Sequence, residues 1–86
     1  MHESRVVADL ITRVEAEVDP REQRVGRVSL RIGALSGISP SALALGVEEH
    51  ATRVWGYAPE VVADQSEDLG DLAATGVTLT SILVRD

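Results

Sequence analysis

The spacing of the apolar residues changes abruptly near residue 20, and this change constrains the fold more than any other feature. Between residues 4 and 18, apolar residues recur at three- and four-residue steps, with charged residues opposite them: Val6, Val7, Leu10, Ile11, Val14 and Val18. This pattern predicts an amphipathic helix. Pro20 ends it, because proline disfavours helical geometry at the preceding Asp19. Val28, Leu30 and Ile32 then alternate with polar residues, which predicts a half-buried strand.

A second helix is predicted over residues 40–53. Ser39 is expected to be its N-cap, and Pro40 occupies the first helical position, where a missing N–H is harmless. Gly56 is expected to end this helical region. The predicted buried face consists of Leu43, Val47, Ala51 and Val54.

Two further strands are predicted in the last third of the chain. Residues 57–63 (YAPEVVA) form a short one, in which Pro59 suggests an edge position or a late start. Residues 76–86 (GVTLTSILVRD) form the other, and a phase change near Ser81 suggests a bulge or a change of face. Residues 64–75 carry four acids and no base, and are expected to be a short acidic connection. The order helix, strand, helix, strand, strand predicts a two-layer α+β fold, with two helices packed on a small three-stranded sheet.

Composition excludes several classes of function. The 86 residues suffice for one small domain with one core. The net charge is -6 and no contiguous basic stripe occurs, so nucleic acid is not expected as a partner and a phosphate-binding surface is poorly supported. There is no cysteine, hence no disulfide, thiolate zinc site or cysteine nucleophile. No catalytic constellation and no long apolar segment occur, which favours a cytoplasmic protein that is not an enzyme.

The first three residues, MHE, carry donor groups suited to a metal ion. An unmodified amine on Met1, the imidazole of His2 and the backbone amide nitrogens can surround Ni(II) or Cu(II) in a tetragonal arrangement. Glu3 could add a carboxylate oxygen. The alternative is a frayed helix start, in which the charge of Glu3 favours the first turn.

His50, the only other histidine, is expected to have a structural or surface role near the end of the second helix. Glu48 and Glu49 precede it directly, but adjacent residues point in different directions on a helix. A three-ligand site from these residues is therefore not expected.

Two pairs of residues have both a structural and a docking interpretation. Arg27 and Arg31 share one face of the first strand, where they could dock an acidic partner or pair with acids within the chain. Trp55 and Tyr57 flank the end of the second helix. They are expected to close the core, although an exposed Trp55 would indicate a partner surface.

Three stretches together resemble the HypA/HybF family of hydrogenase maturation proteins, which are nickel metallochaperones. They are MHES at the start, RVGRVSLRIGALSGISPSAL in the middle and TLTSILVRD at the end. The similarity covers nearly the whole chain in order. The family inserts a cysteine-held zinc domain between its last two strands, and here only the connection at residues 64–75 occupies that place.

The resemblance implies that Met1, His2 and Glu3 hold Ni(II), without structural zinc, for delivery to a HypB-like GTPase or a hydrogenase large subunit. Ser39 stands where the family can carry a carboxylate near the metal, so a lower nickel affinity is expected. The alternatives are a protein-interaction module or regulator that has lost metal delivery, and a remnant with no present role. The shortened connection is expected to let the last two strands pair, and its exchange between two chains would give a homodimer.

Overall fold

Residues 3–70 and 75–85 are described by the structure, a computed structural model of the chain. Its elements are α1 (Glu3–Glu17), β1 (Arg24–Ile32), α2 (Pro40–Trp55), β2 (Glu60–Gln65) and β3 (Val77–Arg85). Their order is the predicted one, and two helices with a three-stranded sheet confirm the α+β fold. Within the described ranges, neither helix has the length and apolar character needed to cross a membrane.

The end of α1 follows from the turn around Pro20. The Val18 N–H still donates to the Val14 carbonyl at 3.0 Å, one residue past the helix. Asp19 then accepts three hydrogen bonds: its Oδ1 from the Arg21 N–H at 3.0 Å, and its carbonyl from the N–H groups of Glu22 at 3.1 Å and Gln23 at 2.9 Å. The turn therefore satisfies local backbone groups that a continued helix would have used.

Both ends of α2 are capped as predicted. Ser39 has an extended backbone, with φ of -71° and ψ of 130°, and its Oγ accepts from the Ala42 N–H at 3.4 Å. Gly56 has a φ of +81°, in the left-handed region that favours glycine, and its N–H donates to the Thr52 carbonyl at 3.1 Å.

The buried face of α2 differs from the prediction at one position. Val54 is 40% exposed, whereas Trp55 is only 9% exposed. The helix runs to Trp55, two residues further than predicted. Its buried positions are spaced four apart, at Leu43, Val47, Ala51 and Trp55. Residues that are four apart lie on the same face of a helix, and Val54 does not belong to this series.

β1 is the central strand of the sheet. The strand order is β2-β1-β3, with β1 parallel to β2 and antiparallel to β3. The expectation that the last two strands pair with each other is therefore wrong. The inner face of β1 is the most deeply buried in the sheet, with Val25, Val28, Leu30 and Ile32 at most 1% exposed, as is expected of a central strand. Pro59 immediately precedes the edge strand β2, as its missing N–H predicts.

The phase change in β3 is a register irregularity. Ser29 is opposite Ser81 whereas Leu30 is opposite Leu79, so Thr80 is an extra residue in β3. This confirms the predicted bulge. β2 extends to Gln65, so the connection begins two residues later than expected, at Ser66; residues 71–74 of it lie outside the described residues.

Both helices cover the same face of the sheet, α1 over β3 and α2 over β2, and they contact each other. The other face bears Arg27, whose Nε donates to Glu60 Oε1 at 2.7 Å. This pair confirms, for Arg27, the predicted pairing within the chain. Both side chains are about half exposed, so the pair stabilises the fold by less than about 1 kcal/mol. Arg31 lies beside Asp64 in the parallel register.

Trp55 and Tyr57 close the core at the end of α2, as predicted. The Trp55 Nε1–H donates to Glu15 Oε2 at 3.0 Å and so links the last turns of the two helices. The Tyr57 hydroxyl donates to the Pro20 carbonyl at 2.8 Å and accepts from the Val25 N–H at 2.9 Å. The two ring centroids are 6.0 Å apart.

Candidate functional site

The predicted metal ligands fall at the start of α1. Met1 and His2 lie outside the described residues. Glu3 is the first residue of α1, and it is exposed. An acidic residue in the first turn interacts favourably with the helix dipole, so the position of Glu3 fits both the structural role and the metal-ligand role considered above.

Glu3 lies against α2 at Gly46. A Cβ atom at position 46 would be 3.0 Å from Cγ2 of Val7 and 3.7 Å from Oε1 of Glu3. The first two turns of α1 therefore pass closely over α2 where a side chain is lacking. A glycine in the middle of a helix costs about 1 kcal/mol relative to alanine, and close packing of α1 is the structural reason for it here.

A cleft of about 190 Å³ opens beside this crossing. Its ionisable lining residues are Glu3 from α1 and Glu49, His50 and Arg53 from α2. His50 lies one helical turn after Gly46 and is half-buried. The cleft thus contains the carboxylate of Glu3 and the imidazole of His50, two residues 47 positions apart in the chain.

His50 also contacts Arg53, with 3.4 Å between Nδ1 of His50 and Nη2 of Arg53. A guanidinium has only donors, so in this contact the arginine donates to the lone pair of Nδ1. Glu49 shares the cleft with His50, although these two residues are adjacent on the helix. Glu48 is not among the residues that line the cleft.

Within residues 3–70 and 75–85, no group of three or more histidine, cysteine, aspartate or glutamate side chains is placed to hold an ion. The cleft offers carboxylate and imidazole, both of which suit divalent transition metals.

Ser39 does not line this cleft. Its Oγ accepts from the Ala42 N–H and lies 3.1 Å from the Oγ of Ser41. Its capping role is therefore shown, and it adds no donor beside Glu3. Sequence reasoning identified this cap but missed the contact of Glu3 with α2, for which the glycine inside a helical pattern was the available signal.

None of the protein-family models, curated proteins or solved structures compared with the chain matches it. The resemblance to the HypA/HybF family therefore stays a prediction.

Enlarging the side chain at position 46 tests the helix crossing. Gly46→Leu is expected to lower the free energy of unfolding by about 1 to 3 kcal/mol, because its side chain would have to displace Val7. Gly46→Ala is the matched control. Its Cβ requires Val7 to move by a few tenths of an ångström, while the gain in helix propensity of about 1 kcal/mol offsets this. Urea unfolding measures both, and equal stability of the two variants would contradict the close approach.

Proposed function

We propose that the chain is a nickel-binding accessory protein, a metallochaperone of the HypA type that acts in the cytoplasm during maturation of NiFe hydrogenase. It holds one Ni(II) through Met1, His2 and Glu3. The observation that supports this best is the position of Glu3, whose carboxylate lies against α2 in a cleft that also contains His50. The ion is cargo, passed to a HypB-like GTPase or to a hydrogenase large subunit.

The donor chemistry suits this role. A terminal amine, a backbone amide nitrogen and the imidazole of His2 supply nitrogen donors in one short stretch, as tetragonal Ni(II) prefers. Met1 and His2 directly precede Glu3 in the chain, so the three proposed ligands lie within one short stretch. The site combines few protein side chains, which agrees with a carrier that must release its metal. No structural zinc is expected, since the chain has no cysteine to form a thiolate site.

Titration of the protein with Ni(II), with the amine of Met1 free, tests the proposal. Calorimetry is expected to show one equivalent bound at micromolar strength, and visible spectra a square-planar d–d band. His2→Ala is expected to abolish the band and weaken binding at least about tenfold, since even outer-shell partners of metal ligands contribute that much. Glu3→Gln keeps the size of the side chain and is expected to cause a smaller loss.

Two controls separate the proposed site from general metal uptake by an acidic protein. Glu17→Gln removes a charge at the other end of α1 and is expected to bind nickel as the parent does. Adding Gly-Ser before Met1 keeps every side chain but moves the amine, and is expected to abolish the spectral band. Binding that is indifferent to His2 and to the added residues would exclude the metal site. The HypA-like interaction module or regulator would then replace it.

A further inference from the structure

Three arginines from separate segments line one surface pocket of about 390 Å³. They are Arg21 in the turn after α1, Arg24 at the start of β1 and Arg85 at the end of β3. Among the described residues that line the pocket, Glu22 is the only acidic one. The chain has eight basic residues against fourteen acids, so a pocket with this excess of positive charge runs against its overall composition.

Arg24 is held in place by Tyr57. Its guanidinium carbon lies 4.3 Å from the centroid of the tyrosine ring, a distance typical of a cation–π contact. The ring is itself fixed, because the hydroxyl of Tyr57 is hydrogen-bonded to both Pro20 and Val25. Since Arg24 is already ordered, binding an anion there would restrict little additional side-chain freedom.

The side chain of Arg85 lies across β1 at Gly26, which has no Cβ of its own. A Cβ at position 26 would lie 2.7 Å from Cγ and 2.8 Å from Nε of Arg85. The arginine side chain therefore occupies the space that any other residue at position 26 would need. Gly26 lies at the register shift between Val25 and Arg27, where the pairing of β1 with β3 is irregular.

The arrangement brings like charges together. Arg24 and Arg85 are directly opposite in the antiparallel pair, and like charges at such positions destabilise a sheet. Within the described ranges, the recorded ion pair is that of Arg27 with Glu60, which does not involve this pocket. A bound oxyanion would remove the repulsion, because guanidinium groups bind phosphoryl oxygens through paired, charge-assisted hydrogen bonds.

We propose that this pocket binds a phosphoryl group, either free phosphate or the phosphate of a small phosphorylated molecule. The pocket has the size of small-molecule sites and is confined to one end of the strand pair. A nucleic acid is disfavoured as the ligand, since the chain is acidic overall and lacks an extended basic stripe. The site is independent of the proposed nickel site and shares no residue with it.

NMR titration of the complete chain at constant ionic strength tests the site. The probes are inorganic phosphate and glycerol phosphate, with sodium chloride as the reference salt. Saturable shifts are expected at the Nε–H signals of Arg24 and Arg85 and at the amide of Gly26. Tighter binding of glycerol phosphate would identify an esterified ligand, and tighter binding of inorganic phosphate the free anion.

Variants distinguish a site from a diffuse charge effect. Arg24→Gln and Arg85→Gln are each expected to weaken binding at least about fivefold, because each removes a charged donor. Arg31→Gln removes the same charge elsewhere on β1 and is expected to leave the affinity unchanged. Gly26→Ala keeps every charge but displaces Arg85, and is expected to weaken binding while the spectrum stays that of a folded protein. Shifts that do not saturate, that sodium chloride reproduces, or that change equally in Arg24→Gln and Arg31→Gln would overturn the proposal.

Discussion

Leu43→Ala is expected to lower the free energy of unfolding by about 3 to 5 kcal/mol. Leu43 is fully buried, at 0% exposure, on the face of α2 that packs against the sheet and α1. Alanine would remove apolar contacts and leave a cavity that the surrounding strands and helices fill only in part. A domain of this size has about 4 to 13 kcal/mol in total, so the variant would lose a large fraction of its stability.

Leu45→Ala is the matched control for this experiment. Leu45 lies two residues further along the same helix and is 55% exposed, so its truncation is expected to change stability by no more than about 0.5 kcal/mol. Urea unfolding followed by circular dichroism and by the fluorescence of Trp55 measures both variants. Equal shifts of the two midpoints would mean that α2 does not present the face described here to the core.

Trp55→Ala is expected to cost about 3 to 5 kcal/mol, comparable to the loss at Leu43. The indole is nearly buried at the end of α2 and is hydrogen-bonded to Glu15 near the end of α1. Its removal would lose both the apolar contacts and the link between the two helix ends. Circular dichroism is the appropriate measurement, because the variant has no tryptophan left to report fluorescence.

Two further variants divide this effect between packing and hydrogen bonding. Trp55→Phe keeps an aromatic ring but loses the Nε1–H donor, and is expected to cost less than Trp55→Ala. Glu15→Ala removes the acceptor and is expected to cost about 1 kcal/mol, as is usual for a single hydrogen bond. Val54→Ala, at the exposed neighbouring position, is expected to be nearly neutral. If Val54→Ala lowered the free energy of unfolding more than Trp55→Ala, the buried face predicted from the sequence, which contains Val54, would be the correct one.

The secondary structure could be predicted because it depends on local patterns. The step spacing of α1, the alternation in β1 and the caps Ser39 and Gly56 each lie within a few residues of the element they define. The bulge in β3 was likewise visible as a change of phase at Ser81. These signals need no knowledge of how the elements pack.

Tertiary features were less accessible. The strand order depends on which strand takes the central position of the sheet. The alternation in β1 predicts a strand, but it does not predict that β2 and β3 pair with its two edges. Val54 and Trp55 are adjacent and both apolar. The helical period alone predicted that Val54 is buried, whereas the buried residue is Trp55. A helix that continues for two more residues places the larger side chain in the core.

The two proposed sites were predictable to different extents. MHE is a contiguous stretch, so its donor groups are evident from the sequence, whereas the cleft that Glu3 and His50 both line depends on the crossing of two helices. The arginine pocket was not predicted, because Arg24 and Arg85 lie 61 positions apart and become neighbours only through the β1–β3 pairing. The absence of a basic run is informative about extended surfaces, but it does not exclude a pocket assembled from distant strands.

The central position of β1 also determines where the length of this chain can vary. β2 ends at Gln65 and β3 begins at Val77, and both residues are register partners of Ile32. The two strand ends are therefore separated by the width of one strand on each side, about 10 Å. Loop closure entropy rises only with the logarithm of loop length, so a longer connection here adds little entropic cost and alters no strand pair. A change in the length of this junction would therefore leave the pairing of the three strands as it is.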